Sequence, residues 1–147
     1  MPLSPALSRL AVAAALVAPF GALAQDDRAS ALIDTLGLTE PRFEDDRRNP
    51  DLHGALPGGV QVEIEFHRDG SVEEIEAAGR EPFPASAIAP LLPEAVRNAP
   101  EWPADARLWS IEFDADGIEI EGVDASGRAF ESEFASDGSL LDHEIDD

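Results

Sequence analysis

The sequence predicts an α+β fold: an antiparallel β-sheet meander with one or two short helices packed on one face. Three observations predict it. From Val60 onward, apolar residues recur at every second position, the period of a half-buried strand. Short turns containing Asp and Gly separate these runs. Two further stretches carry apolar residues at helical spacing.

Residues 1–24 read as a secretory signal peptide. Arg9 supplies the basic start, Leu10 to Phe20 is apolar, and Ala22-Leu23-Ala24 is a small-x-small cleavage site before Gln25. The apolar stretch falls short of the about 20 residues of a membrane span. The exported chain, residues 25–147, is then expected in the periplasm or secreted, without membrane attachment, as one domain. It has no Cys for disulfides or for a lipid anchor.

Ala29, Leu32, Ile33 and Leu36 form one stripe of a helix. Asp26 or Asp27 is expected to cap its start, and Gly37 stands where a terminating glycine belongs. Residues 39–59 hold Pro41, Pro50, Pro57 and the pair Gly58-Gly59, and predict a loop. Val60, Val62, Ile64 and Phe66 alternate with polar residues as a strand. Asp69-Gly70 turns the chain, and Ser71 to Ala77 returns. Ile88, Leu91, Leu92, Ala95 and Val96 suggest a helix near 86–98, short or broken by Pro90 and Pro93. Four strands follow. Trp109, Ile111 and Phe113 face the core in the first, and Ile118 and Ile120 in the second. Phe130, Ser132 and Phe134 face it in the third, and Leu141 and Ile145 in the last. Asp116-Gly117, Asp124 to Gly127 and Asp137-Gly138 are the turns.

The composition excludes several roles. There are 31 acidic residues against 10 basic ones, all Arg, for a formal charge of −21. Nucleic-acid binding needs a basic face, and an anionic membrane surface would repel the chain. Residues 101–147 alone hold 15 acids and two Arg.

An internal echo runs through the chain. Glu65-Phe66-His67-Arg68-Asp69-Gly70-Ser71-Val72 aligns with Glu133-Phe134-Ala135-Ser136-Asp137-Gly138-Ser139-Leu140 at an offset of 68 residues. One reading is a duplicated helix-plus-hairpin unit, residues 26–78 and 84–147. The other is that two acidic hairpins simply look alike.

Trp109-Ser110-Ile111-Glu112-Phe113 leads into Asp116-Gly117, and the Gly127 and Gly138 turns continue the pattern. With the signal peptide and short helix, this organisation resembles the PepSY and PepSY-like domains of exported bacterial proteins. Residues 84–147 carry the better match. The chain departs from the pattern at Pro90, Pro93 and Trp109, where Tyr is more usual. The resemblance implies a non-catalytic module that binds, restrains or inhibits a protein partner such as a peptidase.

The residues themselves point the same way. His53, His67 and His143 stand far apart, without helical metal-site spacing, and no nucleophile elbow occurs. No catalytic residue and no cofactor is expected. Glu63, Glu65, Glu119, Glu121, Glu131 and Glu133 project from the sheet on the side away from the core. They form a candidate docking face for a basic protein or peptide, set against the plain alternative of a solvated surface. A second functional reading is calcium binding, with Asp114 and Asp116 as ligands in a turn. Their pattern is an incomplete calcium loop.

Overall fold

The computed structural model describes residues 20–46 and 49–145. Residues 1–19 of the expected signal peptide lie outside the described residues. The first helix, α1, spans Phe20–Leu36 and so begins earlier than expected. Ala22-Leu23-Ala24-Gln25 are good helix formers and extend it. Asp26 and Asp27 therefore lie within the helix and do not cap it. Its end follows the prediction. Gly37 adopts φ +64°, and the Leu38 N–H donates to Ile33 O at 2.9 Å, closing the last turn. Ala29, Leu32 and Leu36 are buried.

Residues 39–59 are not a loop. Thr39–Asp46 (β1) and Asn49–Ala55 (β2) form an antiparallel hairpin. β1 lies at the end of the sheet, where Pro41 is tolerated because one edge needs no partner. β2 fills one core-facing position with Leu52 and another with Gly54, so the alternation of apolar side chains is missing from the sequence.

The remaining strands are β3 (Gln61–Phe66), β4 (Val72–Ala77), β5 (Phe83–Pro84), β6 (Arg107–Phe113), β7 (Ile118–Val123), β8 (Ala129–Phe134) and β9 (Leu140–Ile145). One antiparallel sheet runs β1-β2-β3-β4-β6-β7-β8-β9, with β5 also paired to β6. The meander expected from the sequence is present and is longer than predicted. The helix expected near 86–98 is broken further than its spacing suggests. It consists of 3₁₀ turns at Ala85–Ala87 and Ala89–Leu91 and one α-helical turn, α2, at Glu94–Arg97. Pro90 and Pro93 interrupt the backbone hydrogen bonds that would join them.

One hydrophobic cluster unites α1, the segment before β6 and the inner side of the sheet. Leu32, Ile64, Ile75, Phe83, Ile88, Val96, Leu108, Ile111, Ile120 and Phe134 belong to it. The Trp102 ring packs on Phe134 with centroids 5.8 Å apart.

The inward assignments change in two strands, β6 and β9. A register shift between Leu108 and Ser110 gives the inward place to Leu108, which is fully buried, and leaves Trp109 half-buried. Phe113 is half-buried as well. Leu141 and Ile145, expected to finish the core, are exposed. Every residue of β9 is exposed, because β9 is the other end strand of the sheet.

The 68-residue offset extends to the architecture. It carries β3 onto β8 and β4 onto β9 residue for residue, and brings β1 and β2 to within a residue of β6 and β7. Register shifts fall at Glu65/Phe66 and at Glu133/Phe134. The His67 N–H donates to Ser71 O, and the Ala135 N–H to Ser139 O, both at 2.9 Å.

Candidate functional site

The six glutamates named from the sequence do point away from the core. Their neighbours along each strand are buried, while they are exposed or half-buried. The register then aligns them across strands, which strand periodicity alone leaves open. Glu65, Glu119 and Glu133 fall in one row, and Glu63, Glu121 and Glu131 in the next.

The first row takes one carboxylate from each of eight strands. Glu44 opposes Asp51. The β2–β3 register, with Leu52 opposite Ile64, brings Asp51 beside Glu65. Glu65 opposes Glu74, and Glu74 opposes Glu112. Glu112 opposes Glu119, Glu119 opposes Glu133, and Glu133 opposes Asp142. With neighbouring strands 4.7–4.9 Å apart, this row spans about 34 Å. The second row runs through Glu63, Glu76, Ser110, Glu121, Glu131 and Glu144. Arg42 and His53 pair at its β1 end.

Like charges directly opposite destabilise a sheet, and the carboxyls register it. The Glu65 carboxyl is raised above its ordinary value by partial burial, then by Asp51, Glu63, Glu73 and Glu76. Glu74 is raised by partial burial, then by Glu65, Glu76, Glu112 and Glu121. Glu119 is raised by partial burial, then by Glu131, Glu112, Glu121 and Glu133. An opposing cation would relieve this repulsion, and water does so less well. The face carries dense negative charge across the whole width of the sheet.

Several residues of the face were absent from the sequence reading. Glu74, Glu76, Glu112, Asp142 and Glu144 join the rows through register. The alternation Glu74-Ile75-Glu76 was a legible signal for two of them. Trp109 joins through the register shift in β6. It lines a cleft of about 240 Å³ together with Glu121, Glu131 and Glu144. An aromatic ring beside carboxylates suits a guanidinium or ammonium group.

Asp114 and Asp116 lie exposed in the β6–β7 turn, which is closed by Asp114 N–H donating to Gly117 O at 2.9 Å. Among the described residues, no three His, Asp or Glu side chains converge on a metal-sized site. The acids are spread in rows and do not gather around a point.

The three histidines occupy separate places. His53 Nε2 lies 3.0 Å from Glu44 Oε2, out of line for a hydrogen bond. His143 Nδ1 meets the buried Ser132 hydroxyl at 2.7 Å. His67 Nε2 is 2.8 Å from Phe113 O, and its Nδ1 is 3.4 Å from Glu73 Oε2. His67 also lines a cleft of about 820 Å³ with Val72, Leu91, Phe113 and Asp114. The histidines do not form a joint site.

No family model matches the chain, and no curated protein matches its sequence. Among solved structures, a protein named as periplasmic and of the DUF2874 family from Bacteroides vulgatus is 20% identical. That match has a TM-score of 0.46 and covers 80% of this chain and 87% of the other. A second, named as a calcium-regulated periplasmic protein from Bacteroides thetaiotaomicron, is 18% identical. Its TM-score is 0.46, and the match covers 80% of this chain and 88% of the other. Among the described residues, no helix is long and apolar enough to cross a membrane.

Proposed function

We propose that this chain is an exported, non-catalytic binding module whose acidic sheet face docks a basic protein or peptide in the periplasm. The observation behind the proposal is the row of carboxylates contributed by eight strands. Like charges directly opposed along such a row destabilise the sheet. A basic partner converts that cost into attraction, and its charge steers the encounter. Trp109, beside Glu121, Glu131 and Glu144, offers a seat for one cationic side chain. The PepSY-like pattern of residues 84–147 suggests the class of partner, a peptidase held in restraint. The signal-peptide pattern of residues 1–24 supports export.

The test is binding of a synthetic Arg-rich peptide across a salt series. Expected is an affinity that falls steeply with salt. Neutralising Glu119, Glu121, Glu131 and Glu133 to Gln should weaken it more than tenfold. Neutralising Asp34, Glu94, Glu101 and Asp105, which lie outside the rows, removes the same charge and should weaken it much less. Equal losses from both sets would reduce the face to an ordinary charged surface.

A further inference from the structure

Among the described residues, the sheet ends in two open edges, β1 and β9. The 68-residue offset relates them to a contact the chain already makes. It places β9 on β4 and β1 close to β6, and β4 and β6 pair with each other at the middle of the sheet. The edges left open are thus the two that meet inside the molecule.

Their side chains point to the same conclusion. Among the described residues, the exposed large hydrophobic side chains are Phe43, Leu140, Leu141 and Ile145. All four lie on β1 or β9. The residue at the Phe43 offset is Ile111, which is fully buried against Ile75 of β4. The residue at the Ile145 offset is Ala77, which is buried as well. At these two positions an apolar group that is covered in the middle of the sheet is uncovered at its end. Natural sheets ordinarily blunt such edges.

We infer that copies of this chain associate head to tail, with β9 of one molecule pairing antiparallel to β1 of the next in the register of β4 and β6. That register sets Glu74 opposite Glu112, Ile75 opposite Ile111 and Glu76 opposite Ser110. Shifted by 68 residues, it sets Asp142 opposite Glu44, His143 opposite Phe43 and Glu144 opposite Arg42. The last pair is an ion pair between two exposed side chains. The first repeats the like-charge contact that Glu74 and Glu112 already tolerate. Because the two surfaces differ, a pair leaves one edge free at each end, and the assembly grows past the dimer, into a ring where the rotation between copies closes and into a filament where it does not. The net charge of −21 opposes it, so added salt strengthens it.

The experiment is sedimentation of the exported protein over rising concentration at low and at moderate salt. The average mass is expected to climb without a plateau at the dimer, and more so at moderate salt. Arg42→Glu should weaken association at least tenfold. The exchange Arg42→Glu with Glu144→Arg should restore it. The exchange keeps the parent's net charge, so recovery reports the pair and not the total. The chain has no cysteine, which permits a second readout. Phe43→Cys chains mixed with His143→Cys chains should cross-link to one another on oxidation in preference to themselves. Three results would each overturn the inference: a monomer at every concentration, a closed dimer indifferent to Arg42→Glu, or cross-links favouring like with like.

Discussion

His67 joins two parts of the sheet that the chain connects only through a long excursion. Its Nε2 donates to Phe113 O at 2.8 Å, tying the β3–β4 turn to the end of β6. Its other nitrogen faces Glu73 at 3.4 Å. With an acceptor on each side, the protonated ring is favoured. The hydrogen bond to Phe113 O raises its pKa most, burial opposes the rise, and Glu73, Asp69 and Asp114 add to it. The raised value means that the charged ring stabilises the fold fully below its ordinary 6.5. That contribution is lost as pH rises through the folded-state value. His67→Gln should therefore lower the unfolding midpoint most at about pH 5.5 and least at about pH 8.5. Parallel melting curves for the two proteins across that range test it; a constant difference would deny the link.

The acidic rows predict a stability maximum on the acid side of neutrality. Glu65, Glu74 and Glu119 bind protons more tightly in the folded chain than their ordinary 4.5. Their ionisation costs stability as pH rises through those raised values. Asp69, Asp124 and Asp137 behave oppositely. Hydrogen bonds from Ser71, Arg128 and Ser139, respectively, hold them below their ordinary 3.8. Their contribution is present above 3.8 and lost as pH falls through the folded values. Midpoints should rise from about pH 8 to about pH 5 and fall again below about pH 3. Glu119→Gln should stabilise the chain at neutral pH by several tenths of a kcal/mol, about the size of one relieved cross-strand pair.

Divalent cations separate the docking reading from the calcium reading. A ligand that binds only the folded chain raises its midpoint. Carboxylates in open rows are expected to respond to calcium and magnesium equally at matched ionic strength, with no change on adding EDTA to the purified protein. A calcium-selective rise that disappears in Asp114→Asn with Asp116→Asn would transfer the assignment to the β6–β7 turn.

Glycine positions test the packing of the sheet's cover. Gly138 has φ +89°, and a Cβ there would lie 2.5 Å from Ala95 O of α2. Gly58 has φ +102°, but a Cβ there meets nothing within 4 Å. Gly138→Ala should thus cost more than Gly58→Ala, with the excess above about 1 kcal/mol. Denaturant midpoints of the two variants compare them directly.

The position of a residue in the sheet matters more than its type. Ile111→Ala, at a fully buried site, should cost about 2–5 kcal/mol. Phe43→Ala, at the corresponding place on β1, removes a larger side chain that is 53% exposed. It should fall within about 0.5 kcal/mol of the parent in dilute solution. A large loss at Phe43 under those conditions would place a cover over β1 within the single molecule.

Much of this could be read from the residues in order. The alternation Val62-Glu63-Ile64-Glu65-Phe66 determined a strand and its inner face, because a strand turns successive side chains to opposite sides. Asp69-Gly70, Asp124 to Gly127 and Asp137-Gly138 determined the turns, since their glycines take positive φ. Gly37 determined where α1 stops. These are local effects, complete within a few residues. The hairpin of β1 and β2 was not legible, because backbone pairing holds it and Gly54 occupies one of its core positions. Nor was the inward place of Leu108 in β6, which depends on a shift against β7. Which glutamates stand opposite one another is set by the pairing of separate strands in the folded chain. Tertiary packing also decided that Ile75 and Ile111 are covered while His143 and Phe43, at the matching offset, are left on open edges. Register and burial belong to pairs of strands, and no single strand's sequence contains them.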